Sequence, residues 1–102
     1  MKAVAFHPGV ARGEVIALSD DQAIAFAAMQ KLVGGWLEVV PMGRFDVYCN
    51  EDGLSKKMPP NRRLPDGRLL VGPIVVLRRS GSDLAGLSDD EAAEVLRGGP
   101  VR

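Results

Sequence analysis

Two six-residue segments of this chain, Leu18-Ser19-Asp20-Asp21-Gln22-Ala23 and Leu87-Ser88-Asp89-Asp90-Glu91-Ala92, follow one pattern. A serine followed three residues later by Gln or Glu is a capping box, in which hydroxyl and carboxamide or carboxylate satisfy each other's backbone N–H. The intervening aspartates suit the positive end of a helix dipole, and the preceding leucine can staple the entry. Each segment therefore predicts the start of a helix. The first runs through Ala23–Leu32 and stops at Gly34-Gly35, where glycine adopts the left-handed cap without strain. The second is short and stops at Gly98-Gly99-Pro100, with Arg102 and its neighbours frayed. It is the same capping solution used twice, not a duplicated domain.

Glycine and proline interrupt almost everything else, so the remaining order falls to strands and turns. Lys2–Phe6 and Glu14–Leu18 read as strands paired through the Gly9–Gly13 loop. Trp36–Val40 reads as a third, ended by Pro41, with Gly43-Arg44 turning into a fourth over Phe45–Cys49. Asn50-Glu51-Asp52-Gly53 is a turn signal. Leu54–Gly67 contains Pro59, Pro60 and Pro65, which rule out a long helix or a central strand, so it reads as an ordered loop with one helical turn at Leu54–Lys57. Arg68–Val71 and Pro73–Arg79 form one bent strand or two short ones around Gly72-Pro73. The expected fold is α+β: a mostly antiparallel sheet of about five strands, one main helix packed on one face, and a short C-terminal helix.

At 102 residues, 46% apolar and 25% charged, the chain suits one globular domain over 1–102. Its core is modest, so a sizeable ligand site belongs on the surface or between subunits, and a dimer or larger homo-oligomer is expected. The start, Met1 to Pro8, holds too short an apolar run for a signal peptide, and no segment reaches membrane-spanning length. The lone Cys49 leaves no internal disulfide. A bacterial cytoplasmic location is expected.

Formal charge is zero, which argues against a general nucleic-acid coat and against an acidic mimic. Its distribution is uneven. Residues 54–80 carry seven basic side chains against Asp66 alone, a net +6, and the remainder carries −6. Within that stretch Pro59-Pro60-Asn61-Arg62-Arg63-Leu64-Pro65 stands out, because prolines stiffen the chain and lower the entropy lost on presenting side chains to a partner. Guanidinium forks suit phosphates. Asn61, Arg62 and Arg63 are thus candidate contacts for phosphate or ribose, with Arg44, Arg78 or Arg79 assisting and Trp36 or Tyr48 stacking on a base. The plain alternative is that Arg62 and Arg63 pair with Glu51 and Asp52 while Asn61 caps a turn.

Catalytic signals are weak by comparison. His7 is the only histidine and sits against Pro8 in a turn. Cys49, inside an apolar strand, reads as a small buried hydrophobe. The carboxylates Glu38, Asp46, Glu51 and Asp52 lack a marked acid/base pattern. No His/Cys spacing fits a metal, and neither glycine pair opens a helix after a strand as a phosphate loop must. No cofactor and no metal are expected.

The segments Leu32-Val33-Gly34-Gly35-Trp36-Leu37-Glu38, Asn50-Glu51-Asp52-Gly53, Pro60-Asn61-Arg62 and Gly72-Pro73-Ile74-Val75-Val76 occur in a familiar order. Over roughly residues 22–77 the chain resembles a family of short uncharacterised proteins carried by phages and plasmids, a domain of unknown function. The resemblance implies a mobile-element protein in a bacterial cytoplasm and no particular reaction. In style, though in no motif, the chain is also similar to phage proteins that trap nucleotide signals of bacterial immunity between subunits. The leading expectation is a non-enzymatic binding protein that sequesters a small phosphate-bearing nucleotide in a basic pocket. The alternatives are a module docking on an acidic host or phage protein, a small hydrolase using Glu51, Asp52 or His7, and a binder of single-stranded nucleic acid.

Overall fold

A computed structural model of the protein describes residues 1–98 and 101. Gly99, Pro100 and Arg102, to which the second helix stop and the frayed end were assigned, lie outside the described residues. Val101 does not fray: it is buried in the core.

The chain runs β1 (Lys2–Phe6), β2 (Glu14–Ala17), α1 (Gln22–Val33), β3 (Leu37–Met42), β4 (Phe45–Asn50), β5 (Pro60–Arg63), β6 (Leu69–Val71), β7 (Ile74–Arg78) and α2 (Asp89–Leu96). Five strands form one antiparallel sheet in the order β2-β1-β7-β4-β3, and β5 and β6 form a separate hairpin. The α+β class and the five-stranded antiparallel sheet are as expected. Met42 pairs with Phe45, so Gly43-Arg44 is a two-residue turn, and Gly43 at φ +60° supplies the left-handed residue such a turn needs.

Alternation along the strands sorts the apolar side chains onto two faces. Ala3, Tyr48, Val75 and Leu77 face α1, which buries Ala25, Met29 and Val33. Val4, Phe6, Phe45, Val47, Cys49, Ile74 and Val76 face the other way, where Leu64 and Leu70 of the β5–β6 hairpin and Ala92 and Val95 of α2 cover them. Burying each Val, Leu, Ile, Phe or Met among them contributes roughly 1.5–3 kcal/mol. The central strand β7 is therefore wrapped on both sides, which explains its unbroken apolar run.

Several local expectations need correction. Ser19 does not cap α1. Asp21 does, its carboxylate accepting from Ile24 N–H at 3.0 Å, while Ser19 Oγ accepts from Asp21 N–H at 3.1 Å. Gln22 is thereby freed, and its amide exchanges two bonds with the Leu84 backbone, at 2.9 and 2.7 Å. Ser88 does close a capping box with Glu91, as the pattern predicts. Pro41 lies inside β3 instead of ending it, which is tolerable because β3 is the outer strand and one missing N–H leaves no neighbour unpaired. The stretch 54–67 is not wholly a loop either: Pro60–Arg63 pairs with Leu69–Val71 across an irregular register. No helix among the described residues is long and apolar enough to cross a membrane.

Candidate functional site

The arginine-rich loop is built as a structural tie. Asn61 Nδ2 donates to the carbonyls of Phe6 at 2.8 Å and Gly72 at 2.7 Å, fastening the β5–β6 hairpin to the end of β1. Arg62 donates to Asn61 O and Oδ1 and to the carbonyls of Val10 and Ala11, with its guanidinium 4.9 Å from the centre of the Phe6 ring. Arg63 donates to Gly67 O at 2.7 Å. Glu51 and Asp52 accept from none of these arginines; both are exposed in the turn after β4.

Arg44 and Arg78 serve α2. Arg44 meets Glu94 at 2.5 Å and Arg78 meets Glu91 through both Nε and Nη2, while Lys2 pairs with Asp89. The helix is thus clamped to the sheet by three cations. Arg78 and its salt bridge hold the Glu91 carboxyl down to about 2, and the Ser88 backbone N–H adds to that. Trp36 is 67% exposed at the far end of α1, and Tyr48 is nearly buried on the α1 face. The structure therefore does not bring Asn61, Arg62, Arg63, Arg44, Arg78, Trp36 and Tyr48 together. Arg44 and Arg78 lie with α2 on one side of the sheet, Tyr48 on the other.

The segments Leu32–Glu38 and Asn50–Gly53 hold each other, as do Pro60–Arg62 and Gly72–Val76. Asn50 Nδ2 donates to Val33 O at the end of α1, and Glu51 N–H donates to Trp36 O. Gly34 at φ +85° closes the helix there. Gly72 N–H donates to Pro59 O, beside the Asn61 tie.

What the fold leaves open is a groove on the α1 face. Gln22, Phe26 and Gln30 of α1 form one wall, Val39 of β3 and Tyr48 of β4 the floor, and Gly81–Leu84 the other wall. Its volume is about 600 Å³. A smaller hollow of about 180 Å³ continues it over Val39 and Tyr48 to Pro41, Asp46 and Arg79. Phe26 and Val39, 42% and 47% exposed, make one wall and the floor apolar. The Gln22–Leu84 pair fixes the far wall to α1.

Charge sits at one end of this groove. Asp46 is only 4% exposed; no donor among the described residues is hydrogen-bonded to its carboxylate, whose oxygens instead open onto the hollow and its solvent. Burial pushes its carboxyl above the ordinary range, with the Arg79 charge pulling the other way. Burial and the neighbouring Asp46 together raise the Tyr48 hydroxyl. Arg79 makes no ion pair among the described residues, and its guanidinium reaches only the Gly43 carbonyl, at 3.5 Å. A carboxylate and a guanidinium that both open onto the groove, near each other but not bonded, are together a place where a ligand's polar groups gain partners.

Of these residues, Arg79 and Tyr48 were among the candidates from sequence and Asp46 among the weighed carboxylates. Phe26, Val39 and Gln30 were not. The available signal was Ile24 and Phe26, large apolar side chains off the Ala25–Met29–Val33 stripe that α1 needs for packing.

A second hollow of about 250 Å³ lies on the opposite face beside Cys49, Glu51 and Asp52. Burial, reinforced by Glu38, pushes the Cys49 thiol up to about 11, which leaves it protonated and unreactive at neutral pH. Glu38 there is engaged by Arg68 at 2.5 Å. Among the described residues no group of three His, Cys, Asp or Glu side chains could hold a metal ion.

No curated protein and no solved structure matches the chain. Residues 1–98 match the family described as a domain of unknown function (DUF3846), and the chain belongs to that family.

Proposed function

We propose that this is a non-enzymatic binding protein whose site is the groove between α1, β3 and the Gly81–Leu84 segment. The observation that carries the reading is the Asp46–Arg79 end of an apolar groove, where neither charged group has a bonded partner of opposite sign. A flat ring would lie against Phe26, Val39 and Tyr48, because aromatic and branched walls favour stacked, largely apolar contact. An anionic group would meet Arg79, and a ring N–H or amide would donate to Asp46. A small phosphate-bearing nucleotide has all three features and fits the volume. The anti-defence form of this reading, a phage- or plasmid-borne protein sequestering a nucleotide immune signal in the bacterial cytoplasm, rests on the resemblance and on this ligand chemistry. Asn61, Arg62 and Arg63 then act by holding the hairpin, not by touching the ligand.

Calorimetry against cyclic dinucleotides and cyclic ADP-ribose isomers tests it. We expect binding of at least one anionic nucleotide at tens of micromolar or tighter, weakened about tenfold or more by Arg79→Ala or Phe26→Ala, as loss of a charge-assisted bond or a stacking wall requires. No binding anywhere in the panel defeats the proposal. Binding that survives Arg79→Ala and is lost in a folded Arg63→Ala moves the site back to the arginine loop.

A further inference from the structure

Strand β2 ends the sheet on the side away from the groove, and its outer edge is bare. Leu18 N–H donates to Met1 O at 2.7 Å, and the Met1 ammonium donates back to Leu18 O, so Leu18 directs its backbone groups toward β1. By alternation Ile16 and Glu14 do the same, opposite Ala3 and Ala5. Val15 and Ala17 consequently point N–H and C=O away from the sheet, and among the described residues nothing accepts from or donates to them. Exposed edges are ordinarily blunted by proline, lysine, a bulge or a covering loop. The opposite edge has Pro41. Glu14-Val15-Ile16-Ala17 is short and carries one charge, Glu14, but has no proline, lysine, bulge or covering loop, runs in unbroken register with β1, and leaves Val15 44% exposed.

We propose that β2 pairs antiparallel with β2 of a second copy of this chain, joining two five-stranded sheets into one continuous sheet. Only residues with outward backbone groups can form the hydrogen-bonded pairs, so the two positions in each pair must both be odd. Three registers satisfy this over the strand, and side-chain chemistry separates them. Centring on Val15 sets Arg12 against Leu18 of the second copy. Centring on Ala17 sets Glu14 against Asp20, like charges directly opposed. Centring on Ile16 pairs Val15 with Ala17 in both directions, puts the two Ile16 side chains against each other, sets Glu14 against Leu18, and brings the bend at Arg12, just before the strand, toward the bend at Asp20 of the second copy, twice. Arg12 has no ion-pair partner among the described residues, and the Asp20 side chain, 95% exposed, holds only the N-terminal ammonium of its own chain. The Ile16-centred register is the one in which the sequence is complementary to itself, as a two-fold contact demands.

This dimer leaves both grooves open, since β3 is at the opposite end of the sheet from β2. It therefore stands or falls separately from the ligand reading.

Sedimentation of the full chain at high micromolar concentration tests it. The expected species has twice the 10.9 kDa chain mass. Ala17→Pro removes an outward N–H that the isolated chain does not use, and should give a monomer with unchanged circular dichroism. Arg12→Asp should weaken association about tenfold or more, and Arg12→Asp combined with Asp20→Arg should restore it, as the swap reinstates two opposed charge pairs. A monomer at every concentration overturns the proposal. So does a dimer that is indifferent to the charge swap, which decides the matter alone if Ala17→Pro does not fold.

Discussion

Asp46 and Glu91 are carboxylates displaced in opposite directions by their surroundings, and their pH behaviour follows from that. For Asp46 the folded state binds its proton more readily than the unfolded chain does, chiefly through burial. Stability therefore falls as pH rises from the ordinary value of 3.8 through the raised one, and the loss persists at neutral pH. Asp46→Asn should melt higher than the parent at pH 7, with the gain fading below about pH 4, while losing ligand affinity. Thermal melts across pH check this, and an Asn variant that is less stable at pH 7 contradicts the picture of an acid whose desolvation outweighs the pull of Arg79. Glu91 behaves in the reverse sense. Held at about 2 by the Arg78 contact and the Ser88 backbone, it contributes stability that is complete above 4.5 and lost as pH falls toward 2. Glu91→Gln should flatten that acid limb modestly, because Arg78 is half exposed and solvent screens the pair. None of this was visible in the sequence. That Arg62 would be consumed by the carbonyls of Val10 and Ala11, or that Asp46 would be left without a donor, depends on segments brought together from distant parts of the chain.

Two helices begin with nearly the same residues and are capped differently. Ser88 works as its pattern says. Ser19 does not, because Gln22 is drawn away to the Leu84 backbone and Asp21 takes the capping position. Ser88→Ala and Asp21→Ala should each cost about 1 kcal/mol, lowering the melting temperature by about 4–8 °C in a chain of this size. Ser19→Ala should change little. Equal losses at Ser19 and Ser88, measured by thermal denaturation, would restore the capping box at the first helix. Elements with local signals, such as the β1–β2 and β3–β4 hairpins and both helices, were readable to within a residue or two. The β5–β6 hairpin was not, since its prolines suppress the strand signal and its pairing needs only an edge. The covering of the second sheet face by that hairpin and α2 was equally hidden, because Leu64 and Leu70 carry no periodic mark.

At the scale of the whole molecule, the +6 stretch proved to be a set of separate fastenings: Arg68 to Glu38, Arg78 to Glu91, Arg62 and Arg63 to carbonyls. Charge asymmetry along a sequence is not a patch in space. Of the cations in that stretch without an ion pair among the described residues, Arg79 is the one that lines the groove, near Asp46 but not bonded to it. The groove proposed as the ligand site lies on the α1 face, remote from the arginine loop. Amide chemical shifts during titration with an anionic nucleotide that binds in calorimetry test it most directly. A ligand in the groove should concentrate the changes at Gln22–Gln30, Val39, Asp46–Tyr48 and Arg79–Leu84. Changes centred on Asn61–Arg63 and the Val10–Ala11 turn, with the groove silent, would contradict it.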